Sequence, residues 1–271
     1  MKNYKLLLWI NQSNGDTLGI IPLVQALVEQ YPDLDVKLAC YYDQAYLLEH
    51  LPVEIVPVQG NYRNMAMRTV PSYFLDKVRH IIDQNYTPIH LWGGLYNHKH
   101  TWQCQVKTFN NQCQENNIDI ILEDSKFGYI ELPFKYIHVE KNAIYVESCQ
   151  PVSGQTNFQF DLYKMSLMFP NVNYYTVGPV NFQAKNIFDC SKMSLIDLSN
   201  ISRKCNLILA KGSGPFFCTL CEENKNKTKA LMGLTGGWKY KFWNENDENC
   251  FLLDTEKEMM DLIRPINRGA I

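Results

Sequence analysis

The sequence predicts an α/β protein of two halves, each built on a parallel sheet and both opening on a shared cleft. Three observations predict it. Short apolar runs alternate with helical stretches along the whole chain, which is the rhythm of βαβ units. The runs are nearly continuous in apolar residues, as strands covered on both faces must be. The rhythm breaks once, in the irregular stretch DSKFGYIELPFKYIHVEK from Asp124 to Lys141, and then begins again. The expected boundary lies at the end of that stretch, with one domain over 1–141 and a second over 142–271. A chain of 271 residues is long enough for two cores.

In the first half KLLLWI reads as a strand, followed by a helix around 17–30. VKLAC leads into a short helix around 42–50, and VEIVPV into a helix around 72–84. IHLWGG precedes a helix around 101–116, and IDIILE closes the half as a further strand. The second half opens on AIYVES and a helix around 157–169. NYYTVG and NIFDCS follow, then the helix SLIDLSNISRKC, the strand NLILAK, a helix from Gly214, and the strands KALMGL and FLLD. The last helix, TEKEMMDLIRPI, is expected to stop at Pro265, which cannot donate to a helical ladder. Loops at the carboxyl ends of such strands are where open α/β sheets bind ligands.

Bulk composition narrows the class. A net charge of -2 and a pI of about 6.3 supply no basic stripe for nucleic acid. The densest basic cluster, Lys225, Lys227 and Lys229, reads as a solvated loop. KLLLWI is too short for a signal core or a membrane span, and no stretch approaches about 18 apolar residues. A cytoplasmic protein is expected, with any membrane association peripheral. Nine cysteines without a secretory signal argue against a disulfide framework. Cys218 and Cys221 of CTLC read as buried small hydrophobes. His98, His100 and Cys104 have a spacing that fits no metal site, so no metal and no cofactor are expected.

Chemistry concentrates where strands run into helices. In NQSNGDTLGIIP, Gly15 permits a tight turn, and Asn14, Gly15 and Thr17 surround the carboxylate of Asp16. Asp16 or Thr17 serves as a helix N-cap, or Asp16 projects from the sheet edge as a general base, kept charged by the helix end. In NLILAKGSGPFFCTLC, the turn Lys211-Gly212-Ser213-Gly214-Pro215 opens a helix, with Ser213 at the N-cap and Pro215 in the first turn. It reads either as a plain tight turn or as a phosphate cradle of backbone N–H groups, to which Lys211 adds a cation. In ESCQPVSGQTNFQFD, Ser153, Gly154, Gln155 and Thr156 are donors for a diphosphate, or form a loop in which Thr156 or Asn157 caps a helix. After KALMGL, Trp238, Tyr240 and Trp243 offer aromatic faces to a nucleobase or sugar, or simply pack.

Together these motifs resemble the heptosyltransferase family and related GT-B glycosyltransferases. One matching segment is GDTLGIIPLVQALVEQYPDLDVKLAC, with its Gly-Asp pair, Pro and Leu-rich helix. The other is SLIDLSNISRKCNLILAKGSGPFFCTLCEENKNKTKALMGLTGG, a run of helix, strand, Ser-Gly-Pro turn, helix and strand. The resemblance implies two Rossmann-like domains facing a central cleft, an N-terminal one for the acceptor and a C-terminal one for a nucleotide-sugar donor. It implies inverting, metal-independent sugar transfer to a glycan or glycolipid, with Asp16 as the base. It places Ser213, Gly214 and Pro215 beside the donor phosphates, with Lys211, Gly212, Ser153, Gly154 and Gln155 as further donor-binding residues. The sequence departs from the family where Gly212 replaces an Asp and Phe216 or Phe217 a His. Those departures keep open a second class, a non-catalytic binding or scaffolding protein on a GT-B fold.

Overall fold

The structure is a computed structural model and describes residues 4–60, 71–91, 101–123, 129–149, 156, 158–233 and 249–269. It divides into two compact units, Met1–Tyr129 and Ile130–Ile271. The division comes earlier than the expected boundary because the segment after Tyr129 hydrogen-bonds to the second unit. Ile130 N–H donates to Leu220 O at 2.9 Å, Lys135 N–H to Asn200 Oδ1 at 2.9 Å, and Glu140 N–H to the Tyr175 hydroxyl at 2.9 Å.

The first unit carries β1 (Lys5–Trp9), β2 (Asp35–Tyr41), β3 (Glu54–Val58) and β4 (Thr87–His90). They form a parallel sheet in the order β3-β2-β1-β4. Leu6, Leu7 and Leu8 are fully buried, as an apolar run in a central strand requires. On one side Leu7, Trp9, Ala39 and Tyr41 pack with Phe74, Val78 and Ile81. Those last residues lie along α3 (Pro71–Lys77) and α4 (Arg79–Ile82), which replace the single helix expected there. The helix expected around 17–30 is also two, α1 (Asn14–Gly19) and α2 (Ile21–Gln30). Pro22 lies in the first turn of α2, where its missing N–H costs nothing. The short helix after β2 is a 3-10 turn over Tyr42–Leu47.

IDIILE forms no strand. Pro88, inside β4, has no N–H to offer a further strand, and the outward N–H and C=O of His90 are already paired. The amide of Gln112, on α5 (Thr101–Glu115), accepts from His90 N–H at 2.7 Å and donates to His90 O at 2.6 Å. A proline and a side-chain amide thus close the edge where a fifth strand would pair. Residues 118–123 keep the alternation of an extended chain, burying Ile118, Ile120 and Leu122 while Ile121 is exposed. Side chains satisfy their backbone: Asn110 pairs both polar groups of Leu122, and the Tyr31 hydroxyl both groups of Ile121.

The second unit carries β5 (Ala143–Val146), β6 (Asn173–Thr176), β7 (Ile187–Asp189), β8 (Leu207–Ala210), β9 (Thr228–Met232) and β10 (Cys250–Leu253). Its sheet order is β10-β9-β8-β5-β6-β7, parallel throughout. This is the strand order of the doubly wound dinucleotide-binding fold. The helices are α6 (Leu162–Met168), α7 (Leu195–Ser202), α8 (Gly214–Phe217) and α9 (Glu256–Asn267). Ile144, Val146, Leu207 and Leu209 of the central strands pack with Met259, Ile263 and Ile266 of α9, which recur at helical spacing. The expected helix from 157 starts only at Leu162, because Asp161 is its N-cap, accepting from Lys164 N–H at 2.9 Å.

Pro265 does not stop the last helix, which continues to Asn267. A proline in the final turn removes a bond there, but the closing turn is still held by Arg268 N–H on Arg264 O and Pro265 O. Of the lysine cluster Lys225 is exposed as expected, but Lys227 and Lys229 are not. Lys229 is buried, and the half-buried Lys227 donates through Nζ to Ser202 O and Arg203 O at the end of α7. Those carbonyls lie at the carboxyl end of the helix, where a cation meets the negative end of its dipole. Cys218 and Cys221 are buried free thiols, as expected.

In each unit the chain reverses its strand order once. β1, β2 and β3 run one way and β4 returns to the other side of β1; β5, β6 and β7 run one way and β8 returns beside β5. Loops diverge at such points and leave a crevice outside the carboxyl ends of the strands.

Candidate functional site

The first crevice lies beyond β1 and β4. Ser13, not Asp16 or Thr17, is the N-cap of α1, with φ -69 and ψ 170. Asp16 is the third helical residue and closes a capping box: its Oδ2 accepts from Ser13 N–H at 3.2 Å and from the Ser13 hydroxyl at 2.6 Å. Asp16 itself is half-buried. Thr17 is buried, and its hydroxyl has no partner among the described residues. Gly15 is buried in the first turn.

Amides and an imidazole hold this loop. Gln44 Nε2 donates to Gln12 O at 2.9 Å and to Asn14 Oδ1 at 3.1 Å. Asn11 Oδ1 accepts from Gln12 Nε2 at 3.0 Å and lies 3.2 Å from His90 Nε2, which therefore carries the ring proton. The His90 ring stacks on Trp9, centroids 3.8 Å apart and 9° from parallel. Burial pushes its pKa down to about 4, so the imidazole is neutral at pH 7. Sequence reasoning missed His90 and Gln44; the polar end of the TPIH strand was the available signal for the former.

The second crevice lies beyond β5 and β8. Gly212 adopts φ +72, a left-handed turn that brings Ser213 back toward the sheet. Its partner there is Glu147, which follows β5 and is fully buried. Glu147 Oε2 accepts from Lys211 N–H at 2.6 Å, and Glu147 Oε1 accepts from the Ser213 hydroxyl. Burial raises the Glu147 pKa, and the hydrogen bonds from Ser213 and Lys211 pull it back. Lys211 is 1% exposed, and its Nζ donates to Ser148 O at 3.4 Å. Burial lowers its pKa, while the Glu147 charge opposes that shift. Tyr145, two residues before Glu147 and so on the same face of β5, donates its hydroxyl to Pro215 O at 2.9 Å. The Cys218 thiol donates to the same carbonyl at 3.1 Å. Both ends of the turn are thus fastened, one by Glu147 and the other by Tyr145.

Neighbouring strand ends are tied as closely. The Ser148 and Thr176 hydroxyls bond each other, and Gly178 N–H donates to Ser148 Oγ at 3.1 Å. A β-carbon on Gly178 would lie 2.3 Å from that oxygen, so only glycine fits. Thr156 caps no helix; its hydroxyl donates to Met232 O at 2.7 Å and anchors its loop to the end of β9. Ser153, Gly154, Gln155, Asn157, Trp238, Tyr240 and Trp243 lie outside the described residues. So do His98 and His100. Among the described residues no group of three His, Cys, Asp or Glu is placed to hold a metal. Glu147 and Tyr145 were also missed. The visible signal was an acid closing the otherwise apolar strand AIYV.

No family model matches the sequence, and no curated protein matches it. Solved structures do. A glycosyl transferase of family 9 from Veillonella parvula superposes with TM-score 0.62 at 12% identity, over 97% of this chain and 92% of that one. The fold is GT-B. The E. coli heptosyltransferase WaaC, solved with ADP-2-deoxy-2-fluoro heptose, gives TM-score 0.61 at 11% identity, over 96% of this chain and 99% of its own. A putative UDP-N-acetylglucosamine 2-epimerase from Listeria monocytogenes gives 0.54 at 12% identity, over 97% and 88%. The shared fold therefore spans both units and accommodates more than one sugar-nucleotide chemistry.

Proposed function

We propose that the chain is a glycosyltransferase that moves a sugar from a nucleotide-sugar donor to a glycan or glycolipid acceptor. The observation that carries this reading is the placing of the two sequence motifs. Asp16 and the Lys211–Pro215 turn follow the two strands, β1 and β8, that flank the reversals of strand order, within a fold shared with sugar-nucleotide enzymes along nearly the whole chain. The second unit binds the donor at its crevice and the first binds the acceptor.

Transfer is inverting and needs no metal. The acceptor hydroxyl attacks the anomeric carbon from the face opposite the diphosphate as the bond to the diphosphate breaks. Asp16 takes the hydroxyl proton and later releases it to solvent. The Ser13 bonds hold the carboxylate in one orientation during this step. Replacing Asp16 with Asn keeps the shape but removes the base. Donor turnover with acceptor present is expected to fall at least about a hundredfold. Unchanged turnover contradicts the role of Asp16.

A second reading, a non-catalytic binding protein, is favoured by one observation: Asp16, Lys211 and Ser213 all bond inward. Calorimetry against a panel of nucleotide sugars separates the two. Binding of none supports the non-catalytic reading.

A further inference from the structure

We propose that Ser213 recognises a hydroxyl group of the bound nucleotide sugar, accepting its hydrogen bond, and that Glu147 is the positioning residue that fixes this polarity. The inference rests on the transferase reading and specifies what the 211–215 turn touches. A serine has one proton to give and two lone pairs to receive. Here the proton is committed: the hydroxyl donates to Glu147 Oε1, while Oε2 of the same carboxylate is taken by Lys211 N–H. An ionised Glu147 has only acceptors to offer, and with Oε2 filled by Lys211 N–H it takes the serine proton on Oε1.

What Ser213 offers outward is therefore lone pairs. Its side chain is only partly buried, so a ligand can reach it. A diphosphate, itself rich in acceptors, gains nothing from such a group; a sugar or ribose hydroxyl does. The electrostatics agree. The Lys211 ammonium is sequestered on Ser148 O, and the Glu147 charge lies directly behind the turn. The turn is also fixed in this state, since Tyr145 and Cys218 hold Pro215 O at its far end. The residue expected to touch phosphate is instead built to read a hydroxyl.

The test is calorimetry on the full chain with ADP-glucose and UDP-glucose, the parent ADP and UDP, and their 2′,3′-dideoxy forms. Ser213→Ala is expected to weaken at least one hydroxyl-bearing ligand about tenfold, the worth of one net hydrogen bond, and to leave the dideoxy diphosphates unchanged. Loss confined to the nucleotide sugar assigns the transferred sugar; loss shared by ADP or UDP but not their dideoxy forms assigns the ribose. Ser213→Thr, which keeps the hydroxyl, restores binding. In Glu147→Gln the amide oxygen still accepts from Lys211, so the amide nitrogen faces Ser213 and donates to it. That frees the serine proton, and the same loss of hydroxyl recognition is expected without weaker binding of the dideoxy diphosphates. Equal weakening of every ligand, or no change in Ser213→Ala, overturns the proposal and leaves the transferase reading standing. A wild-type chain that binds none of the ligands overturns both.

Discussion

In the proposed mechanism Asp16 has two tasks, capping α1 and taking a proton, that a single carboxylate can hold together. Both bonds from Ser13 fall on Oδ2, and the capping box they form ties the acid to the start of α1. The tasks separate by mutation. Ser13→Ala removes the cap hydroxyl and is expected to cost about 1 kcal/mol in urea denaturation, with sugar transfer reduced far less than in Asp16→Asn. Equal losses of transfer in the two variants would mean that Asp16 acts only through the helix. His90 makes a second residue-scale prediction. Its pKa falls from 6.5 unfolded to about 4 folded, so between these values the unfolded chain binds the extra proton. Stability contributed by the neutral ring is therefore full above pH 6.5 and falls as pH drops toward 4. Between pH 7 and pH 5 the loss is about 2 kcal/mol. In His90→Phe, which keeps the stacking on Trp9, urea denaturation at the two pH values should show a correspondingly smaller drop.

At the scale of elements, β4 shows how a sheet is brought to an end. Gln112 imitates a neighbouring strand for a single residue, taking both outward polar groups of His90. Gln112→Leu leaves those groups without their partner and should destabilise the chain by about 1–3 kcal/mol in chemical denaturation, whereas the exposed Gln114→Leu should change little. The same amide explains a failed expectation. IDIILE carries the alternation of a strand and buries one face, but whether a neighbour has an edge to offer is a property of Gln112 and Pro88, which that alternation does not record. The central strands were legible because burial on both faces forces continuous apolar runs. The division of 17–30 at Ile20 was not read, because the pattern of apolar residues continues through both helices; Pro22, which suits a helix start better than an interior, was its one local mark.

At the scale of the molecule, the two parallel sheets and their alternation with helices could be read from the sequence, but the strand order could not. The order decides which strand ends meet, and that is why the turn at Ser213 was visible while its partner Glu147 was not: 66 positions separate them along the chain. The lysines failed for a related reason. Lys227 and Lys229 look like a solvated run until the fold brings the end of α7 against Lys227 and buries Lys229.

The central claim is sugar transfer with inversion by a chain whose base is Asp16. The most direct measurement is proton NMR of the product anomer, formed from a nucleotide sugar that the wild-type chain turns over. The prediction is a product of anomeric configuration opposite to the donor, formed by the wild type and lost in Asp16→Asn. A product that retains the donor configuration, or equal product from both chains, would contradict it.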